Sequence, residues 1–102
     1  MKNLRKRSGS LYLVYIIIKL FFTRAFIKNC RKLPKRIQSA TDKQLEHLLY
    51  DPEHPSLNIK KMKDPRKIWE GRVTESYRFT FQFQEDIYIL RKVGTHDILK
   101  NP

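Results

Sequence analysis

Residues Trp69–Asp97 read WEGRVTESYRFTFQFQEDIYILRKVGTHD, and the reading of this stretch decides the fold. Between Tyr77 and Gln84 the aromatics Tyr77, Phe79, Phe81 and Phe83 alternate with Arg78, Thr80, Gln82 and Gln84. A period of two places the two sets on opposite faces of a β-strand, one apolar and one polar. A turn over Thr74, Glu75 and Ser76 sets Trp69, Gly71 and Val73 against the aromatic face and Arg72 across from Arg78. A two-residue turn would pair inward side chains with outward ones, so the pattern disfavours it. The next turn, Glu85-Asp86, places Tyr88 and Leu90 with the aromatics, and Arg91 with Arg72 and Arg78. Like charges facing each other on adjacent strands are unfavourable, and a polyanion laid across this arginine face would remove that cost. The stretch ends in a tail with Gly94, Thr95, His96 and Asp97, where a glycine free to take positive φ lets the chain turn back over the sheet.

Working outward, Leu13–Phe22 is apolar on both faces through Tyr15, Ile16, Ile17, Ile18, Leu20 and Phe21, as in a central strand. Thr23 suits the cap of a helix that starts at Arg24, with Phe26, Cys30 and Leu33 as its inner stripe. Pro34 suits the first turn of a second helix. In that helix Ile37, Ala40, Thr41, Leu45 and Leu48 face inward, Lys35, Arg36, Lys43 and Glu46 face water, and His47 reads as structural. Asp51-Pro52 ends it. The loop DPEHPSLNIKKMKDPR, residues 51–66, carries Lys60, Lys61, Lys63 and Arg66, with Leu57, Ile59 and Met62 spaced so that part can pair as a strand. The order is β-α-α-β-β-β. It predicts an α+β domain with two N-terminal helices packed on one face of a mostly antiparallel four-stranded sheet.

The chain has 102 residues and a formal charge of +12, which speaks for an anionic partner: nucleic acid, an acidic protein or an anionic membrane. A single cysteine, Cys30, permits neither an intrachain disulfide nor a cysteine metal cluster, and fits a reducing cytoplasm. MKNLRKR followed by LYLVYIII has the basic and apolar parts of a signal peptide. No small-residue cleavage site follows, Lys19 interrupts the run, and the apolar run is too short to span a bilayer. Residues 1–12 are therefore expected to be a basic, mobile extension, residues 13–102 one domain, and a membrane partner is not expected.

Arginines and lysines on a sheet face, with one histidine on the tail beside them, form an inventory suited to RNA cleavage. The ribose 2′-OH is an internal nucleophile, so the protein must align it with the scissile phosphorus. Arginine forks stabilise the charge that builds on the phosphoryl oxygens, and His96 has the right ordinary pKa to protonate the leaving 5′-oxygen. No metal or other cofactor is called for.

The segments FTRAFIKNCRKLPKRIQ, DPEHPSL with its lysines, IWEGRVTESYRFTF and RKVGTHDIL resemble the RelE/ParE superfamily of toxins from bacterial toxin–antitoxin systems. The resemblance runs from about Ile16 to Leu99, and the RelE, YoeB and YafQ types come nearest. One member type has a W-x-x-R-x-x-x-x-x-R block with a catalytic histidine downstream, and Trp69, Arg72, Arg78 and His96 stand in that register. The resemblance implies a metal-independent, ribosome-dependent mRNA endoribonuclease that inhibits translation. In it Arg78 would hold the scissile phosphate, Arg72 would support the backbone and His96 would be the acid. Lys60, Lys61, Lys63, Arg66 and Arg91 would grip RNA. The implied partners are a cognate acidic antitoxin, the ribosome and mRNA. A carboxylate base of the YoeB type falls near Ile59 and is not filled. The lysines of the RelE type have counterparts in Lys60, Lys61 or Lys63, and a tail tyrosine found in several members is replaced by Asp97. The alternative is a ParE-like gyrase inhibitor, or a member that acts by binding alone.

Overall fold

A computed structural model describes residues 19–102. The expected extension over 1–12, and residues 13–18 of the expected first strand, lie outside the described residues. The elements are β1 (Lys19–Phe22), α1 (Arg24–Lys32), α2 (Lys35–Tyr50), β2 (Lys60–Lys61), β3 (Trp69–Arg72), β4 (Tyr77–Gln84) and β5 (Ile87–Thr95). Short 3₁₀ turns cover Pro55–Leu57 and His96–Lys100. The sheet order is β1-β5-β4-β3-β2, with β1 parallel to β5 and the other pairs antiparallel. The α+β class and the two-helix arrangement are as expected. The fifth strand is the two-residue Lys60–Lys61 segment of the loop.

The meander forms in the expected register: Trp69 pairs with Phe81, Gly71 with Phe79 and Arg72 with Arg78. The Thr74–Ser76 turn closes with Val73 N–H donating to Tyr77 O at 2.9 Å. Glu85 and Asp86 both take positive φ, 52° and 65°, the backbone that a two-residue hairpin between right-twisted strands requires. Phe79 lies over Gly71, where an added Cβ would meet the ring at 2.4 Å. Gly71 is therefore the position that lets this ring approach β3 closely.

Helices and sheet share one core. Phe26 and Leu33 come from α1 and its end, Ile37, Leu45 and Leu48 from α2, and Phe79, Phe81, Tyr88, Leu90 and Val93 from the sheet. Thr23 makes the corner between β1 and α1: its Oγ1 accepts from Phe26 N–H and donates to Leu90 O at 2.8 Å. Cys30 packs against the core, and burial, then the nearby Asp42 carboxylate, raise its thiol pKa. It is a packing residue and not an activated nucleophile.

Two expectations are corrected here. Among the described residues the first strand is not central: β1 is at the sheet edge, with Phe21 58% and Phe22 40% exposed. An apolar run on both faces also describes an edge strand whose outer side is open, so local pattern does not separate the two cases. The second correction concerns β5. Phe81 pairs with Leu90 but Thr80 pairs with Lys92, so Arg91 is the extra residue of a β-bulge. The bulge explains the run Leu90-Arg91-Lys92-Val93. It restores Val93 to the core opposite Phe79 after two consecutive charged residues.

Candidate active site

Cross-strand partners share a sheet face, so the register maps the polar face row by row. Arg72, Arg78 and Gly94 form one row, and Glu70, Thr80 and Lys92 the next. His96 follows β5 two residues beyond Gly94, exposed at the start of the tail turn. The sheet thus brings Arg72, Arg78 and the base of the His96 tail to one end of this face.

The face is not open, as the alternation alone suggested. The tail folds back over it: an added Cβ on Gly94 would meet Ile98 Cγ2 at 2.9 Å. Gly94 lies in extended β5 and not at positive φ, so its part in the fold is to let Ile98 approach. Beneath the tail Thr80 is fully buried, and Arg78, against the Thr74–Tyr77 turn, is only 8% exposed. Arg78 Nη1 donates to the backbone oxygens of Thr74, Glu75 and Tyr77 at 2.7, 3.0 and 3.0 Å, and Nε faces Glu70 Oε2 at 3.9 Å. The arginine therefore ties the Thr74–Ser76 turn to the strand. Its Nη2 is the end not used in these bonds.

Arg72 is half-buried, and its Nε is buried without a hydrogen-bond partner among the described residues. Such a donor is costly to leave unmet. Its backbone is fixed by Gln44, buried in α2, whose Nε2 donates to Arg72 O at 2.9 Å and to Ser56 O at 3.2 Å. Ser56 in turn meets His54 Nδ1, and the His54 ring stacks on His47 with centroids 3.9 Å apart. His47 is thus part of the packing behind β3.

The expected RNA-binding residues separate. Lys60 pairs with Glu70 and shares the polar face. Lys61 pairs with Trp69, and its Nζ sits 5.9 Å from the centre of that ring on the other face, a cation–π contact. Lys63 is exposed in the loop. Arg66 is exposed but bound to Asp64 through Nε at 2.9 Å and Nη2 at 2.8 Å. Arg91 donates from Nη1 to Gln82 Oε1 at 3.0 Å and from Nε to Pro102 O at 3.1 Å.

Two residues that shape this site escaped the sequence reading, Glu70 on the polar face and Gln44 behind it in α2. Glu70 is a carboxylate in the row beside Arg78, and its position two residues before Arg72 in a period-two strand was the available signal. Gln44 lies between inward-facing Thr41 and Leu45, and only its long-range bond to β3 distinguishes it from a wet residue.

No protein-family model and no curated protein sequence matches the chain. Solved structures do. YafQ from E. coli strain BL21(DE3) superposes with a TM-score of 0.66 at 13% identity, over 78% of this chain and 94% of that one. A YoeB/ParE toxin from Agrobacterium tumefaciens gives 0.65 at 14%, over 78% and 99%. The RelB–RelE antitoxin–toxin complex from Methanococcus jannaschii gives 0.65 at 21%, over 79% and 95%. With two helices on a meander, a parallel first strand and a tail folded across the polar face, this chain has the fold of the RelE/ParE-superfamily toxins.

Proposed function

We propose that the chain is the toxin of a type II toxin–antitoxin system and cleaves mRNA on the ribosome by 2′-OH attack. The observation that carries this reading is the register Arg72–Arg78–Gly94, which sets two arginines in one row beside the strand end that leads into His96. Arg72 Nε, buried without a partner among the described residues, and the uncommitted Nη2 of Arg78 are donors for phosphoryl oxygens that gain charge in the transition state. His96, exposed at the tail, protonates the leaving 5′-oxygen. Lys60 and Glu70, cross-strand partners on the same face, are the groups available to take the 2′-OH proton. Lys63 extends the positive rim along which RNA runs, Arg66 and Arg91 add charge beside it, and Lys61, over Trp69 on the other face, adds only to the general positive field.

The net charge of +12 and the solved antitoxin–toxin complexes of this fold support an acidic antitoxin as the cognate partner. Exposed Phe21, Phe22 and Tyr50 offer it apolar anchors. No described helix is long and apolar enough to cross a membrane, and a cytoplasmic toxin is consistent with that.

One observation favours a second reading, a ParE-like gyrase inhibitor or a binding-only member: Arg78 is buried and its Nη1 is spent on three backbone oxygens. A translation reaction with labelled mRNA separates the two. Cleaved mRNA ending in a 2′,3′-cyclic phosphate is expected. Intact mRNA together with gyrase-linked DNA breaks would establish the second reading instead.

A further inference from the structure

The polar face of β4 holds an arrangement that the proposed chemistry does not use. Thr80 Oγ1, on a residue with no exposed surface, donates to the backbone oxygen of Pro102 at 3.3 Å. The same oxygen accepts from Arg91 Nε at 3.1 Å. Arg91 is fixed for this contact. Its Nη1 is held by Gln82 Oε1 at 3.0 Å, and Gln82 Nε2 is itself anchored to Arg66 O at 2.9 Å. The β-bulge that places Arg91 here also leaves Lys92 cross-strand from Thr80. A buried hydroxyl and a guanidinium converging on one oxygen, with an ammonium nearby, are the donors that a non-bridging phosphate oxygen takes.

We propose that Thr80 Oγ1 and Arg91 Nε form an oxyanion subsite for an RNA backbone phosphate. In the free chain the Pro102 oxygen fills it, and RNA enters by displacing Asn101 and Pro102. The geometry stands by itself; the choice of RNA as ligand rests on the proposed function. Thr80 lies two residues from Arg78 on the same face, about 7 Å along the strand. The phosphate bound here is therefore a neighbour of the one that is cleaved. A non-bridging phosphate oxygen offers both donors the kind of acceptor that the Pro102 oxygen offers them now, so the exchange keeps both hydrogen bonds. The tail residues must still be released first, which lowers apparent affinity in proportion to the fraction of chains with an open subsite.

The test follows the Arg91 Nε–Hε resonance while inorganic phosphate is added to the full chain and to a chain ending at Lys100. The shortened chain is expected to respond saturably at a phosphate concentration lower by about tenfold, the occupancy factor set by a closed tail. Thr80→Val in the shortened chain should weaken that response. In the full chain, a ¹³C label on Pro102 should move to the position of an unrestrained proline as Arg91 responds. This second measurement decides the matter if the shortened chain does not fold. Equal midpoints in the two chains, an Arg91 signal indifferent to phosphate, or Pro102 staying in place while Arg91 responds would each overturn the subsite. A 2′-O-methyl oligoribonucleotide, which cannot be cleaved, then separates this inference from the proposed function. It should bind the shortened chain more tightly. Phosphate binding without RNA binding would contradict the proposed function and leave the oxyanion pocket standing.

Discussion

The two faces of β4 are both buried, but by different means. On the aromatic face Phe79 and Phe81 are 0% and 3% exposed beneath helices contributed by the N-terminal half of the described chain. Closure there is by shape and apolar area, and it opens only if the helices leave. On the polar face Arg78 and Thr80 are 8% and 0% exposed beneath a turn and a tail. Closure there is by hydrogen bonds to the backbone oxygens of Thr74, Glu75, Tyr77 and Pro102. Such bonds can be exchanged for another oxygen of suitable charge without disturbing the core. One face therefore specifies the fold and the other is available for chemistry.

Substitutions on the two faces should separate these roles. Phe79→Ala is expected to have the largest effect on stability, about 3–5 kcal/mol by denaturant melts, because its ring fills the space over Gly71. A loss below 1 kcal/mol would mean that the core is not built around this strand. Arg78→Ala should cost on the order of 2–3 kcal/mol, the usual range for bonds made by a charged group. Its loss of activity must therefore be judged on protein shown to be folded. Gly71→Ala should follow at about 1–3 kcal/mol, as expected when a packed ring has to shift. A neutral result would show that Phe79 has another rotamer available.

Smaller effects belong to the exposed rim. Changing Lys60, Lys61 and Lys63 together to alanine should cost no more than about 1 kcal/mol of stability, the part owed to the Lys61–Trp69 contact. It should lower the salt dependence of RNA binding by about 0.7 for each phosphate that is no longer neutralised. An unchanged slope would remove this loop from the binding path. The Asp64 carboxylate is held at about 2, below its ordinary 3.8, first by the hydrogen bonds from the Arg66 side chain and backbone. Its folded pKa is depressed, so whatever it contributes is present above pH 3.8 and is lost as the pH falls through about 2. A carbon-detected titration should find that midpoint, and Arg66→Ala should return it toward the ordinary value.

The period-two alternation from Tyr77 to Gln84 carried the meander, its register and the pairing of Arg72 with Arg78, because a one-residue slip would expose every aromatic side chain. The helix stripes were equally legible, since Phe26, Ile37, Leu45 and Leu48 recur at helical spacing and all reach the core. Long-range features left no local mark. Parallel pairing of β1 with β5 depends on residues far apart in the chain, so the edge position of Phe21 and Phe22 was missed. The bulge at Arg91 did leave a trace, two charged residues between Leu90 and Val93 where alternation called for one. The burial of Arg78 could not be read at all. It depends on the guanidinium turning back onto the backbone oxygens of the Thr74–Tyr77 turn, and side-chain to backbone bonds of that kind leave no periodic mark in sequence. Site residues whose side chains are set by register were easier to place than those set by such bonds.

The central claim is that the tail histidine acts as a general acid on RNA held by this face. His96 is exposed, so His96→Gln should leave the melting curve unchanged. Glutamine keeps much of the hydrogen bonding but cannot donate a proton near neutral pH. The measurement is the rate of mRNA cleavage in a translation reaction, parent against His96→Gln, with the melting curve recorded on the same preparations. General acid–base contributions are typically about 10²–10⁴-fold, so a rate loss within that range on a fully folded variant is predicted. Cleavage by folded His96→Gln at the parental rate would contradict the account.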